Sequence, residues 1–371
     1  MKTALIYDWL VTMGGGEKTL AAIHEVFPEP IYTLVKNQQW LEKGPFKGTE
    51  VHSSFLQKFP YAERFYRYLL PFFPMAVEQF DLKGYDLLLS VSHAVAKGVL
   101  TQPHQLHICY CLTPMRYAWD LTHSYVEPLP LLQKILARRT LHKMRNWDIA
   151  SLNRVDHFFA ISQYVAKRIA RIYGREAEVI YPPVDTERFI AHAKREPYYL
   201  TVSRLVPYKK IDLIVEAFAK MPDKKLVVIG DGPEMKKIRE KAKSNVELLG
   251  QQSEGVVREY MQKAKGFIFA AEEDFGIVVL EAQAAGAPVI AYGRGAALET
   301  VVDQKTGIFF REQTPASLIE AVGRFERMEF DPRVVRENAL RFNKARFQKE
   351  FKEKVEKKIE EHHENRHFSR R

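Results

Sequence analysis

Short apolar runs alternate along the chain with stretches whose apolar residues recur every three or four positions. "TALIYDWL", "PIYTLV", "YDLLLSVS", "LHICYCL" and "VDHFFAIS" read as buried strands of a first half. Between the first two, "GGGEKTLAAIHEVF" sets Leu20, Ile23 and Phe27 at helical spacing, which gives one core-facing side. "YPPVDTERF" then interrupts the pattern with two prolines. The alternation restarts through "YYLTVSRL", "IDLIVEAFAKM", "KLVVIGDGP", "GFIFAAEED", "GIVVLEAQAAG" and "APVIAY". Strands alternating with helices predict an α/β protein with parallel sheets covered on both faces. The restart predicts two such domains: residues 1–188 with a returning C-terminal helix over 350–371, and residues 189–349. "RVVRENALRFNKARFQKEFKEKVEKKIEE" reads as one long charged helix.

Composition supports this division. A chain of 371 residues exceeds what one core usually supports, and 46% hydrophobic with 27% charged residues is the balance of a soluble globular protein. No run of about 18 apolar residues is present, and "MKTALIYDWL" turns polar too soon for a signal peptide, so a cytoplasmic chain is expected. Cys109 and Cys111, the two cysteines, sit in a strand-like run and fit a reducing compartment. Zinc held by His104, His107, Cys109 and Cys111 is the other reading of that run, against the usual paired-knuckle spacing.

The net charge of +10 is uneven: residues 131–175 carry ten basic against two acidic residues, and 331–371 carry thirteen against eight. Such an excess suits a polyanionic surface. The aromatic stretch "FYRYLLPFFPMAVEQF" just upstream favours an anionic membrane over nucleic acid, the alternative being an ordinary solvated helix face.

Candidate chemistry falls at strand ends. Gly15 and Gly16 open the first helix after the first strand, where backbone amides can face an anion, although a plain tight turn is the commoner meaning of such glycines. Neither a G-x-G-x-x-G nor a G-x-x-x-x-G-K-[ST] pattern occurs, which argues against nicotinamide enzymes and P-loop ATPases. In the second half, Arg204 and Lys209 follow one strand and Gly230 ends another, a combination suited to a diphosphate. "EEDFGIVVLE" puts Glu273 just past a strand and Glu281 in the helix that begins after Gly276. The blander alternative is that Glu273 merely caps that helix and Glu281 faces solvent.

Taken together, Arg204, Lys209, the "GDGP" turn and the E-x7-E pair resemble the donor half of family 4 glycosyltransferases of the GT-B fold. The likeness extends over nearly the whole chain, through "YDWL", "GGGEK", "SHAVAKGVLT", "TPMRYAWD" and "VIYPPVD", and is nearest to mannosyltransferases that build O-antigen and other surface polysaccharides. The resemblance implies two Rossmann-like domains facing across a cleft. It also implies retaining, metal-independent transfer from a nucleotide sugar, GDP-mannose first and a UDP-sugar as the alternative. On this pattern Glu273 meets the donor sugar and Glu281 the ribose. The Phe275, Gly276 and Ile277 amides meet the diphosphate, and Arg204 and Lys209 offset its growing charge. The acceptor would be a polyprenyl-linked or oligosaccharide glycan, with the enzyme peripheral on the inner face of the cell membrane and no nucleic acid partner.

One position departs from the family. Leu112 stands where a histidine is usual, in "CYCLTPMRYAWD". A leucine neither donates nor accepts a hydrogen bond. Two readings stay open: an impaired, nucleotide-sugar-binding protein, or a role taken over by His93 or Arg116.

Overall fold

The computed structural model describes residues 1–192 and 194–368. They form two compact units, Met1–Pro182 together with the chain from Phe347 onward, and Pro183–Arg346. The dividing point thus falls six residues before the expected 188/189. Val184 bridges to Asn343, and Arg188 pairs with Glu254 and Glu281, which ties this segment to the second unit.

The first unit holds seven strands: β1 (Thr3–Tyr7), β2 (Ile31–Thr33), β3 (Val51–Ser53), β4 (Leu87–Ser92), β5 (Leu106–Cys111), β6 (His157–Ala160) and β7 (Glu178–Val179). Their order is β3-β2-β1-β4-β5-β6-β7, and every pairing is parallel. Strands β1, β4 and β5 are buried at every position, as a sheet covered on both faces requires. One face packs Ala4, Ile6 and Leu88 against Phe73, Val77, Leu141 and Met144.

The second unit repeats the plan with β8 (Glu196–Val202), β9 (Lys225–Ile229), β10 (Val246–Gly250), β11 (Ala264–Phe269), β12 (Val289–Tyr292) and β13 (Gly307–Phe310). These are ordered β10-β9-β8-β11-β12-β13, again all parallel. Ile214, Phe218, Leu318 and Ala321 pack on Leu226, Val228, Ile268 and Ile290.

Each sheet therefore reverses its winding once, between β1 and β4 and between β8 and β11. In open α/β sheets such a reversal leaves a crevice at the carboxyl ends of the strands, and ligands bind there.

The expected single C-terminal helix is two helices, Pro332–Leu340 and Lys344–Phe368. The break serves packing. Asn343 bridges to Val184 and its side chain accepts from the Arg346 amide, restarting the helix. Phe347 and Phe351 then pack on the Tyr110 ring at 5.7 Å each.

Candidate functional site

At the reversal of the second sheet, β8 ends in a loop carrying exposed Arg204. The loop is fixed by hydrogen bonds from the Ser203 amide to the Ile229 carbonyl (3.0 Å) and from the Leu205 amide to the Asp231 carbonyl (2.9 Å). Gly230, at φ 135°, lies directly under it, and a Cβ there would overlap the Ser203 carbonyl oxygen. The "GDGP" turn is thus glycine-rich because the Arg204 loop rests on it.

Lys209 ends a short 3-10 turn, Pro207–Lys209, and its Nζ is ion-paired with Glu273 Oε1. Glu273 lies in the loop after β11. Its carbonyl accepts from the Ala296 amide at 3.0 Å, while Gln313 holds the Ala270 carbonyl at 2.8 Å. Sequence reasoning missed this clamp; its signal was the glycine pair of "YGRGAAL", since a Cβ on Gly295 would come within 2.7 Å of the Glu273 carbonyl oxygen.

Gly276, with φ 77°, is the N-cap of the helix Ile277–Ala284, so Glu273 does not cap it. The buried Phe275 ring packs 5.9 Å from that of Phe342 and anchors the turn. Glu281 stands in the second helical turn, where Arg188 Nη2 lies 2.5 Å from its carboxylate. It is a partly buried, paired acid rather than a solvent-facing one. Arg188 was not anticipated. It also reaches Glu254 at 3.2 Å and lies over the Phe189 ring.

The reversal of the first sheet is built differently. Gly14 caps the helix Gly15–His24, and the Glu17 carboxylate accepts from the Gly14 amide at 2.9 Å. The Tyr7 hydroxyl donates to the same carboxylate, and burial raises the pKa of both groups. The helix start where an external anion was expected already holds a carboxylate of this chain. Gly16 is required by close approach, because a Cβ there would overlap the Tyr7 hydroxyl and press on Leu112.

Asp8, which follows β1, is fully buried and was also missed. Its two oxygens accept four successive amides, those of His93, Ala94, Val95 and Ala96, at 2.7, 2.9, 2.6 and 2.8 Å. His93 follows β4 and adds its Nδ1 at 3.1 Å from Asp8 Oδ2. Leu112 follows β5, next to β4 in the sheet, and its amide donates to the Ser92 carbonyl at 2.8 Å. Arg116 lies further along the loop that follows β5, its Nε 3.5 Å from Asp120 Oδ2. A second buried charge cluster joins Lys97 to Asp148 at 2.7 Å, with Ser151, Trp119 and Tyr173 completing it. The complete burial of its charged pair marks it as an internal strut.

The zinc reading of the cysteine strand fails on its partners. His107 has Nε2 2.8 Å from Ser90 Oγ and Nδ1 2.6 Å from the Arg154 carbonyl, so both ring nitrogens are engaged.

The basic segment is less cationic toward solvent than its composition suggests. Lys134 and Arg138 pair with Glu127, Arg168 with Asp120 and Arg154 with Glu78, while Arg145 and Arg175 donate to backbone carbonyls. What the helix Leu131–Ala150 presents instead is an aliphatic ridge: Leu131, Leu132, Ile135 and Leu136, with Leu132 82% exposed. Exposed Phe65, Tyr68, Phe72 and Met75 lie on the neighbouring segment.

Comparison with known proteins assigns the class. Residues 184–342 match the family model described as glycosyl transferases group 1, and residues 47–188 match that described as glycosyltransferase family 4. The chain belongs to the family 4 glycosyltransferases. Among relatives, a GDP-mannose-dependent alpha-(1-6)-phosphatidylinositol monomannoside mannosyltransferase of Mycolicibacterium smegmatis is 33% identical over 206 residues, 46% of this chain and 53% of that protein. An uncharacterized glycosyltransferase of Methanocaldococcus jannaschii is 29% identical over 194 residues, 51% and 55% of the two chains. The chain spans about half the length of the curated relatives it matches.

Solved structures agree on the fold. Sucrose-phosphate synthase from Thermosynechococcus elongatus superposes with a TM-score of 0.71 at 16% identity, over 97% of this chain and 99% of that one. Anabaena HepE in complex with UDP-glucose gives 0.68 at 17%, over 96% and 100%. The architecture is GT-B.

Proposed function

We propose that the protein is a retaining glycosyltransferase that moves mannose from GDP-mannose onto a lipid-linked or growing surface glycan without a metal ion. The observation that carries this reading is the convergence of Arg204, Lys209, Glu273 and the helix start at Gly276 on the reversal of the second sheet. A nucleotide sugar carries a diphosphate and a hydroxyl-rich ring, and this edge offers cations and a helix N-terminus for the first and a carboxylate for the second.

In the reaction, the bond from the anomeric carbon to the diphosphate breaks, and its electron pair stays on the phosphate oxygen. Arg204 and Lys209 stabilise that growing charge, the service a divalent metal renders elsewhere. The acceptor hydroxyl then bonds to the anomeric carbon and gives its proton to the departing phosphate. Lys209 has two anionic partners in this scheme, the diphosphate and Glu273, so it ties the sugar contact to the phosphate contact. Mannose is the choice because named relatives are GDP-mannose-dependent mannosyltransferases.

The exposed ridge of Leu131, Leu132, Ile135 and Leu136, with Arg139 and Lys143 exposed beyond it, supports a peripheral position on the anionic inner face of the cell membrane, beside a lipid-linked acceptor. No helix among the described residues is long and apolar enough to cross a membrane.

Titration calorimetry with GDP and UDP, each with chelator and with magnesium, tests the site, and product analysis with GDP-mannose and UDP-sugars tests the donor. We expect GDP to bind equally well in chelator. Binding that needs magnesium or manganese would overturn the metal-independent reading, and transfer from a UDP-sugar alone would replace the donor.

A further inference from the structure

The geometry points to Gln313 as the residue that positions Glu273 for sugar transfer. The inference rests on the glycosyl-transfer reading above, in which Glu273 meets the donor sugar, and adds a residue that acts through it. The ladder between β11 and β12 ends at Phe269 and Ala291, so the Ala270 carbonyl is the first beyond it. Gln313 Nε2 donates to that carbonyl at 2.8 Å. Gln313 follows β13, and β12 lies between β13 and β11, so the contact crosses two inter-strand spacings, about 9–10 Å. A glutamine side chain reaching over the end of one strand makes that crossing.

Gln313 is itself held in place. It immediately precedes Thr314, the N-cap of the helix Pro315–Phe325, whose hydroxyl accepts from the Ser317 amide at 3.2 Å. Ser317 Oγ in turn accepts from the Glu312 amide at 3.3 Å, so the chain is pinned on both sides of Gln313. The glutamine therefore starts from a fixed backbone, as a side chain that aims another residue must.

The loop that carries Glu273 thus has a tie at each end of the stretch from Ala270 to Glu273. Gln313 holds the Ala270 carbonyl, and the Ala296 amide, from the loop after β12, holds the Glu273 carbonyl at 3.0 Å. With both ends fixed, the dihedrals between them have little freedom, and the direction in which the Glu273 side chain leaves the backbone is set. That direction brings its carboxylate to Lys209. Gly295 belongs to the same device: at φ 65° it leaves room for the loop, since a Cβ there would stand 2.7 Å from the Glu273 carbonyl oxygen and 3.0 Å from its amide nitrogen. A tie that merely kept this loop folded would show in the melting temperature. One that aims Glu273 shows in turnover, because displacing a reacting contact by about 1 Å can cost about 10²-fold in rate.

The test measures GDP release from GDP-mannose by the full-length protein, with octyl α-mannoside or water as the acceptor. The variants are Gln313→Met, Gly295→Ala, Glu273→Ala and Gln313→Met/Glu273→Ala. Methionine keeps the side-chain length and removes the donor. Gln313→Met should lower kcat at least about tenfold, with KM for GDP-mannose within about twofold of the parent and GDP affinity unchanged. Gly295→Ala, which presses on the Glu273 backbone from another loop, should show the same split. On the Glu273→Ala background, Gln313→Met should cost no further rate, because no carboxylate is left to aim. The parent's kcat in Gln313→Met would overturn the inference and leave the glycosyl-transfer reading standing. So would a loss that multiplies in full with Glu273→Ala, the mark of a tie that only holds the loop. Glu273→Ala at the parent's rate would remove Glu273 from the reading and leave Gln313 nothing to position. A parent that binds GDP but releases no nucleotide from GDP-mannose or UDP-glucose would overturn the reading itself, and this inference with it.

Discussion

Arg188 and Glu281, 93 residues apart in sequence, form an ion pair at 2.5 Å in the second unit. The carboxylate that the family pattern gives to the ribose therefore already has one cationic partner. An acid held on one side by a guanidinium has fixed lone pairs on the other, which suits bidentate acceptance from two vicinal hydroxyls. Glu281→Ala should weaken nucleotide binding by about 1–3 kcal/mol. Arg188→Ala should lower both affinity and thermal stability, because it leaves a largely buried carboxylate without its pair. Calorimetry and a melting curve on the two variants check this. Unchanged GDP affinity in Glu281→Ala would remove it from the nucleotide site.

The Lys209–Glu273 pair makes a different prediction. Glu273→Ala should leave GDP binding nearly unchanged, since free GDP lacks the transferred mannose, while transfer from the intact donor falls by about 10²-fold or more. Lys209→Ala should reduce both, because the diphosphate is common to GDP and GDP-mannose. Equal losses of GDP affinity in the two variants would refute the division of labour.

The fold was legible where burial wrote it into composition. β4 and β5 are buried at every position because helices cover both faces, and the mostly apolar runs "LLLSVS" and "LHICYC" reflect it. β3, β7, β10 and β13 were not read: they are the four edge strands of the two sheets, where pairing rather than composition defines a strand. The residue types of the second half-site were visible at strand ends, yet their pairings were not. Lys209 reaches Glu273 and Arg188 reaches Glu281 only once β8 and β11 are neighbours. Asp8 stayed hidden for the same reason, since four of its partners are amides from beyond β4, and an amide leaves no trace in sequence.

The ridge on the helix Leu131–Ala150 carries a prediction about lipid. Apolar side chains inserted below the headgroups should hold the protein on anionic vesicles even as salt screens its charges. Cosedimentation with phosphatidylglycerol-containing vesicles should weaken in high salt without vanishing. Leu132→Ser/Leu136→Ser should reduce binding at least about tenfold, as loss of two buried leucines implies. If the double variant binds as tightly as the parent, the ridge is not the contact. If the parent instead self-associates through this face and ignores vesicles, the partner is a second copy.

His107 supplies the pH dependence. Burial lowers its pKa from the usual 6.5 to about 4, against the smaller opposing pull of the Arg154 carbonyl and Asp156. The Arg154 carbonyl can only accept, so Nδ1 carries the proton and Nε2 accepts from Ser90. Below pH 6.5 the unfolded chain takes up a proton at this residue and the folded chain does not until about pH 4. Unfolding is therefore favoured progressively as pH falls through that window, by up to about 3 kcal/mol. Glu17, whose pKa burial raises, works in the opposite sense, its folded form holding a proton that the unfolded chain releases as pH rises. The comparison that isolates His107 is with His107→Asn, which keeps a donor toward Arg154 and cannot titrate. All four tryptophans, Trp9, Trp40, Trp119 and Trp147, lie in the first unit, so their fluorescence in urea follows that unit alone. The parent's midpoint should fall more steeply than the variant's between pH 6.5 and 4.5, and Glu17, common to both, drops out of the difference. Parallel midpoints across that range would mean that the buried imidazole is not what makes the first unit sensitive to acid.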